Sequence, residues 1–228
     1  MSSRLHMRIL DRLGGDIAAG RLTAGTILRV ADLSGEFDVS LPVMREAVRV
    51  LQAAGLISLT KRVGLRVLPE SEWNALDPLV IRWRLESPDK EAFLRSLIEL
   101  RRVVEPEAAR LAAQRGSAAE REQLLEAAHS MLAASVGPEK RAAYFEADVR
   151  FHSILMGAGE NPVFRSLRPA VIEALRGRTG MGLEGEPVDP AEAELHVTLA
   201  EMVAQGDAAG AETAGRQLLG GIERRLRG

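Results

Sequence analysis

The chain has 228 residues, 46% hydrophobic and 4% aromatic, with a formal net charge of −2. This length suits one large domain or two small ones, and the apolar fraction is enough for a substantial core. The lack of cysteine excludes disulfides and thiolate metal sites; no apolar run reaches the ~18 residues of a membrane span, and the opening MSSRLHMRILDRLGG has the charges of no secretory leader, so a cytoplasmic protein without a membrane partner is expected.

In chain order, residues 3–19 read as an amphipathic helix with Leu5, Ile9, Leu10, Leu13 and Ile17 on one face. Gly20 and Gly25 interrupt it, and a short helix follows at 30–36. Asp38–Ser40 forms a turn, with Ser40 placed to N-cap a helix over 41–54 and Pro42 tolerated in its first turn. Two β-rich stretches, 56–60 and 65–68, flank Lys61–Gly64. A short helix, a turn, a longer helix and a two-stranded ribbon make a winged helix-turn-helix over residues 1–70. Residues 71–87 predict a linker helix carrying Trp73 and Trp83. Beyond Pro88 only helical periodicity remains, with helices expected at 89–115, 118–135, 138–158, 162–178, 190–205 and 208–226. Pro106 is expected to kink the first of these. Gly206–Asp207 reads as a stop followed at once by an N-cap, so the last two helices should be antiparallel. Residues 179–189 read as a flexible loop. The fold class expected is mostly α, a winged helix followed by an all-α bundle over 88–228.

Charge is distributed unevenly. Residues 1–70 hold ten Lys/Arg against seven Asp/Glu, a balance of +3, whereas the remainder stands at −5. Within 39–68, Arg45, Arg49, Lys61, Arg62 and Arg66 face one acid, Glu46. A local basic cluster on an acidic chain suits phosphate binding; it also suits a plain solvated face.

The segment VSLPVMREAVRVLQAAGLI, Val39 to Ile57, resembles the recognition helix of the GntR family of bacterial regulators, and the resemblance extends over most of residues 5–68. It implies double-stranded operator DNA as a partner, read by a homodimer. In those roles the N-terminus of the 41–54 helix and the Ser40 hydroxyl face phosphate. Arg45 and Arg49, four apart, share the face that meets base edges or phosphates. Lys61, Arg62 and Arg66 around Gly64 place a wing along a neighbouring backbone or in the minor groove. Two departures are visible. Leu41 stands where relatives often carry a base-reading Arg, and Ala31 where many carry another, with Arg29 as the nearby substitute.

In the second half, Asp148 and His152 lie four apart on one helix, and His196 lies on another. A carboxylate and two imidazoles converging in a bundle can hold Zn²⁺ or a similar divalent ion; two helical histidines can equally be hydrogen-bonded core residues. The order Asp148–His152, Asn161–Pro162, His196, Gly206–Asp207 resembles the FadR subfamily with its FCD-type sensor domain, which implies the metal. Metal-binding members carry a further His on the last helix, where this chain has Leu218. The same resemblance places Arg101 toward the ligand cavity, against a carboxylate; a salt bridge to Glu105 is the other reading. Residues 71–87, SEWNALDPLVIRWRLES, resemble the linker of galactonate-type sugar-acid repressors. The implied effector is therefore a small organic acid such as galactonate or gluconate, bound by Arg101, Asp148, His152 and His196, and releasing a repressor from its operator. A metal-dependent enzyme and a non-sensing DNA-binding protein are the alternatives.

Overall fold

A computed structural model describes residues 2–60, 63–137, 140–180 and 189–227. The chain divides into two compact units, Met1–Phe93 and Leu94–Gly228.

The first unit contains α1 (Ser2–Ala18), β1 (Ile27–Leu28), α2 (Val30–Glu36), α3 (Leu41–Ala53), β2 (Ile57–Thr60), β3 (Gly64–Val67), a 3₁₀ turn at Glu70–Glu72, and α4 (Pro78–Leu85). Its core is formed by Ile9, Leu10, Leu13 and Ile17, the face of α1 that the periodicity marks, against Met44, Ala47, Val48 and Leu51 of α3. The ribbon has a third strand that the sequence did not announce. β1 pairs antiparallel with β3, giving the order β1-β3-β2, with Leu28 opposite Leu65 and Thr60 opposite Gly64. Two residues are too few for an alternation to be read. Gly64, at φ +124, permits this pairing: a Cβ there would lie 2.6 Å from the Leu28 carbonyl oxygen.

The stretch 71–87 is not one helix. Asp77 ends an irregular passage by accepting from the Leu79 N–H at 2.8 Å, and α4 starts there with Pro78 in its first turn. Rather than standing apart as a linker, α4 packs on α1. Val80 and Trp83 join the core, Trp83 Nε1 donates to Asp11 Oδ1 at 3.1 Å, and Arg82 pairs with the same carboxylate. Gly14 makes room for the indole, since a Cβ there would meet the ring at 2.5 Å.

The second unit is helical throughout its described residues: α5 (Lys90–Arg115, which starts at the unit boundary), α6 (Ala118–Ala133), α7 (Arg141–Ala158), α8 (Pro162–Gly180), α9 (Pro190–Gln205) and α10 (Ala208–Arg227). Pro106 lies inside α5 without ending it. Residues 179 and 180 continue α8 and Asp189 caps α9; the rest of the expected loop lies outside the described residues. Ser117 and Glu120 form a reciprocal capping box at the start of α6. Gly206, at φ +76, closes α9, and Asp207 Oδ1 accepts from the Gly210 N–H at 2.9 Å to open α10. Among the packed pairs are α6 with α7 and α9, α7 with α8, and α9 with α10. No helix among the described residues is long and apolar enough to cross a membrane.

Candidate nucleic-acid interface and candidate metal centre

α3 buries one face and exposes the other. Leu41, Arg45 and Arg49, spaced by four, are all exposed. Arg49 pairs with Glu46 at 2.7 Å, whereas Arg45 forms no ion pair with a described residue. Ser40 occupies the N-cap position with extended backbone, but its hydroxyl makes no capping bond. The expected capping role is therefore carried by its backbone alone. Arg29 is exposed immediately before α2, and Arg66 is exposed on β3 opposite Ser58 and Ile27. Lys61 and Arg62 lie outside the described residues.

The second constellation is buried. The apolar stripe of α5 runs through Leu94, Leu97, Ile98, Val104, Ala108 and Ala112, and Arg101 and Glu105 occupy positions within it. Asp148 and His152 interrupt the buried face of α7 between Tyr144 and Leu155, and His196 does the same on α9 between Ala193 and Val203. The polar residues sit where helix geometry demands core, so the fold draws them together. His152 Nε2 lies 3.2 Å from Asp148 Oδ1 and 3.4 Å from His196 Nε2, which is itself 3.7 Å from that oxygen. One ligand atom from each of the three residues falls within 4.8 Å of the others. Phe151 meets both imidazoles edge to face, at centroid distances of 5.2 and 4.9 Å, and fixes their tilt.

The outer contacts set the nitrogens. His196 Nδ1 lies 2.7 Å from the Glu192 carbonyl oxygen and donates to it, leaving Nε2 as a lone pair toward the cluster. Burial pushes the His196 pKa down to about 4, so the ring is neutral. His152 Nδ1 stands 3.0 Å from Glu105 Oε2, at ion-pair distance. Burial opposes a charge on His152, but Glu105 beside it and the Asp148 bond outweigh burial and raise its pKa. Burial alone would raise the Glu105 carboxyl; Arg101 and His152 overcome it and hold the group at about 2.

The structure shows the salt bridge of Arg101 to Glu105. Arg101 Nε donates to Glu105 Oε1 at 2.5 Å, while Nη2 approaches His152 Nε2 at 3.4 Å and Nη1 is buried without a hydrogen-bond partner among the described residues. An orphaned guanidinium N–H next to the cluster suits an anionic guest. Leu218 is buried in α10 and offers no ligand atom. Sequence reasoning treated Glu105 only as a rival partner for Arg101. The readable signal was its place in the apolar stripe, four residues from another charge.

The donors fit a divalent metal. Two imidazole lone pairs and one carboxylate suit Zn²⁺ or a similar ion, and each imidazole is oriented by a carbonyl or carboxylate behind it. A winged helix with exposed arginines, joined to a helical unit that buries a ligand-capable polar cluster, defines a ligand-responsive DNA-binding regulator. Residues 5–67 match bacterial regulatory proteins of the gntR family and residues 96–221 match the FCD domain, so the chain belongs to the GntR family of transcription regulators, in its FCD-bearing form. Members of the family are regulators rather than enzymes; they bind operator DNA and small effectors, usually as dimers, and their FCD domains often bind metal. The chain is 33% identical over 224 residues to the galactonate operon transcriptional repressor of Escherichia coli (strain K12), covering 96% of each. It is similar in fold to the Listeria monocytogenes regulator Lar, with a TM-score of 0.63 at 20% identity over 97% of this chain and 96% of that one. A Streptococcus agalactiae GntR structure matches at TM-score 0.54 and 20% identity, over 96% and 99%.

Proposed function

We propose that this regulator is a cytoplasmic repressor that a sugar acid releases from its operator. Arg45, exposed on α3 and without an ion pair among the described residues, is the principal base reader. Arg49, Ser40, Arg29, Arg66, Lys61 and Arg62 contact phosphates or groove edges, and Gly64 shapes the wing. Two chains place their α3 helices in successive major grooves of a pseudo-palindrome. In the sensor, Asp148, His152 and His196 hold a divalent ion, Zn²⁺ by donor type, and Arg101 takes the effector carboxylate. The bound ion offers a positive centre to the carboxylate and hydroxyl oxygens of the acid. Glu105 orients both Arg101 and His152. A hexonate such as galactonate or gluconate matches this polar set, and the similarity to a galactonate operon repressor supports the same class.

The observation that carries the reading is the buried Arg101 Nη1, without a partner among the described residues, beside three convergent metal donors. Effector control requires differential affinity for the DNA-competent and released states. The test is a thermal-shift screen of sugar acids with and without chelator, followed by operator binding at saturating hit. A hexonate that stabilises the protein only with metal and lowers DNA affinity is expected. A protein whose DNA binding ignores every such acid is not this kind of repressor.

A further inference from the structure

We propose that Leu41 reads the 5-methyl group of a thymine in each operator half-site, which makes it a specificity-determining contact beside Arg45. The inference rests on the docking of α3 in the major groove proposed above and adds what the first turn of that helix selects.

A single exposed leucine is ordinary on a protein surface. What distinguishes Leu41 is its place: it opens the stripe Leu41, Arg45, Arg49 at four-residue spacing, on the face of α3 turned away from the buried Met44, Ala47, Val48 and Leu51. Its side chain is 44% exposed, and the next residue, Pro42, is exposed as well. The first turn of this face therefore ends in two apolar side chains that can neither donate nor accept a hydrogen bond. A recognition helix meets base edges with its N-terminal residues, so this end of α3 reaches the bases together with Arg45. The turn before it is held from both sides. The Val39 N–H donates to the Ser34 carbonyl at 3.0 Å, and the Ser34 hydroxyl donates to the Val39 carbonyl. Leu41, two residues on, is thus presented in one position before DNA arrives, which lowers the ordering cost of the contact. Base edges in the major groove offer donors and acceptors, and thymine alone adds a methyl group. Pressing the leucine against an amino group or ring nitrogen strips water and returns no hydrogen bond. Against a methyl group both surfaces leave water with gain. The contact therefore selects a 5-methylated pyrimidine, which in unmodified DNA is thymine.

The test begins with the full-length protein enriching its preferred duplex from a random pool. Binding to that duplex is then followed by fluorescence anisotropy while each thymine in turn is replaced by deoxyuridine, which lacks only the methyl group. One thymine in each half-site is expected to show a loss of about fourfold, the worth of one buried methyl, and about fifteenfold when both are replaced. At the same place 5-methylcytosine is expected to bind more tightly than cytosine by about the same factor, since either pyrimidine can carry the methyl. Leu41→Ala is expected to bind the thymine and uracil duplexes alike, and Leu41→Arg to lose the uracil sensitivity as well. Leu41 lies outside the core, and should one of these variants fail to fold, the other supplies the comparison. A uracil loss that persists unchanged when Leu41 is replaced overturns the assignment, because another group then reads the methyl. A natural chain indifferent to every thymine-to-uracil replacement overturns it too. Both results leave operator binding and the Arg45 reading standing. Failure of the natural chain to enrich any preferred duplex removes the docking of α3 and this inference with it.

Discussion

At the residue scale, Arg45 and Arg49 share a helix face but not an environment. Arg45 makes no ion pair with a described residue, and Arg49 is already tied to Glu46. Arg45→Ala is expected to weaken operator binding by about 1–3 kcal/mol and relax sequence preference at one position, while Arg49→Ala lowers the salt slope by about one with little change in preference. Fluorescence anisotropy on operator and scrambled duplexes over a range of salt separates the two. The buried histidines carry opposite pH signatures. His196, held near 4 instead of its ordinary 6.5, resists protonation that the unfolded chain accepts; its contribution is present above 6.5 and lost as pH falls from there toward 4. His152, held above 6.5, contributes fully below that value and loses its contribution as pH rises through its raised pKa. Metal-free protein is thus expected to melt highest near pH 6.5 and lower on either side, as melting curves across buffers would show. A melting temperature that climbs steadily above pH 6.5 contradicts the His152 assignment.

At the scale of elements, the sequence was informative wherever a pattern was long. The apolar series of α1 and α3, the Gly206–Asp207 stop and cap, and the six sensor helices were all legible. β1 was not, because its two residues carry no period, and its pairing depends on the absent side chain of Gly64. The segment 71–87 misled for another reason. The reading was one linker helix carrying Trp73 and Trp83, but Asp77–Pro78 is a helix start, which confines the helix to its second half. Which face α4 buries is decided by Asp11 and Gly14, more than sixty residues earlier, and no local reading can see that. Gly14→Ala would drive a methyl into the Trp83 ring, so a loss of about 1–3 kcal/mol is expected. Urea unfolding followed by circular dichroism measures it, and an unchanged midpoint would show that α4 is not docked on α1. The candidate metal residues were visible as a spacing, Asp148 to His152. That Arg101 belongs with them came from the family resemblance alone, and that Glu105 joins them was not legible, since it depends on how three apolar stripes meet.

At the scale of the whole molecule, two compact units imply two separable stabilities. Ligands that bind only the folded sensor stabilise it by mass action and leave the other unit to its own core. Scanning calorimetry is expected to show that zinc with galactonate moves the transition of Leu94–Gly228 upward, by about 2.7 kcal/mol of added stability at a hundredfold excess over Kd. The transition of Met1–Phe93 should move with operator DNA instead. A single transition shifted equally by both would mean that the units unfold as one.

Trp73 and Trp83, both within Met1–Phe93, are the chain's complement of two tryptophans. The sensor consequently has no indole emission of its own. An effector that occupies the second unit of the intact protein is silent in indole emission unless something reaches the other half. Altered brightness or colour from Trp83, seated between Gly14 and Asp11, is therefore a record of communication rather than of occupancy.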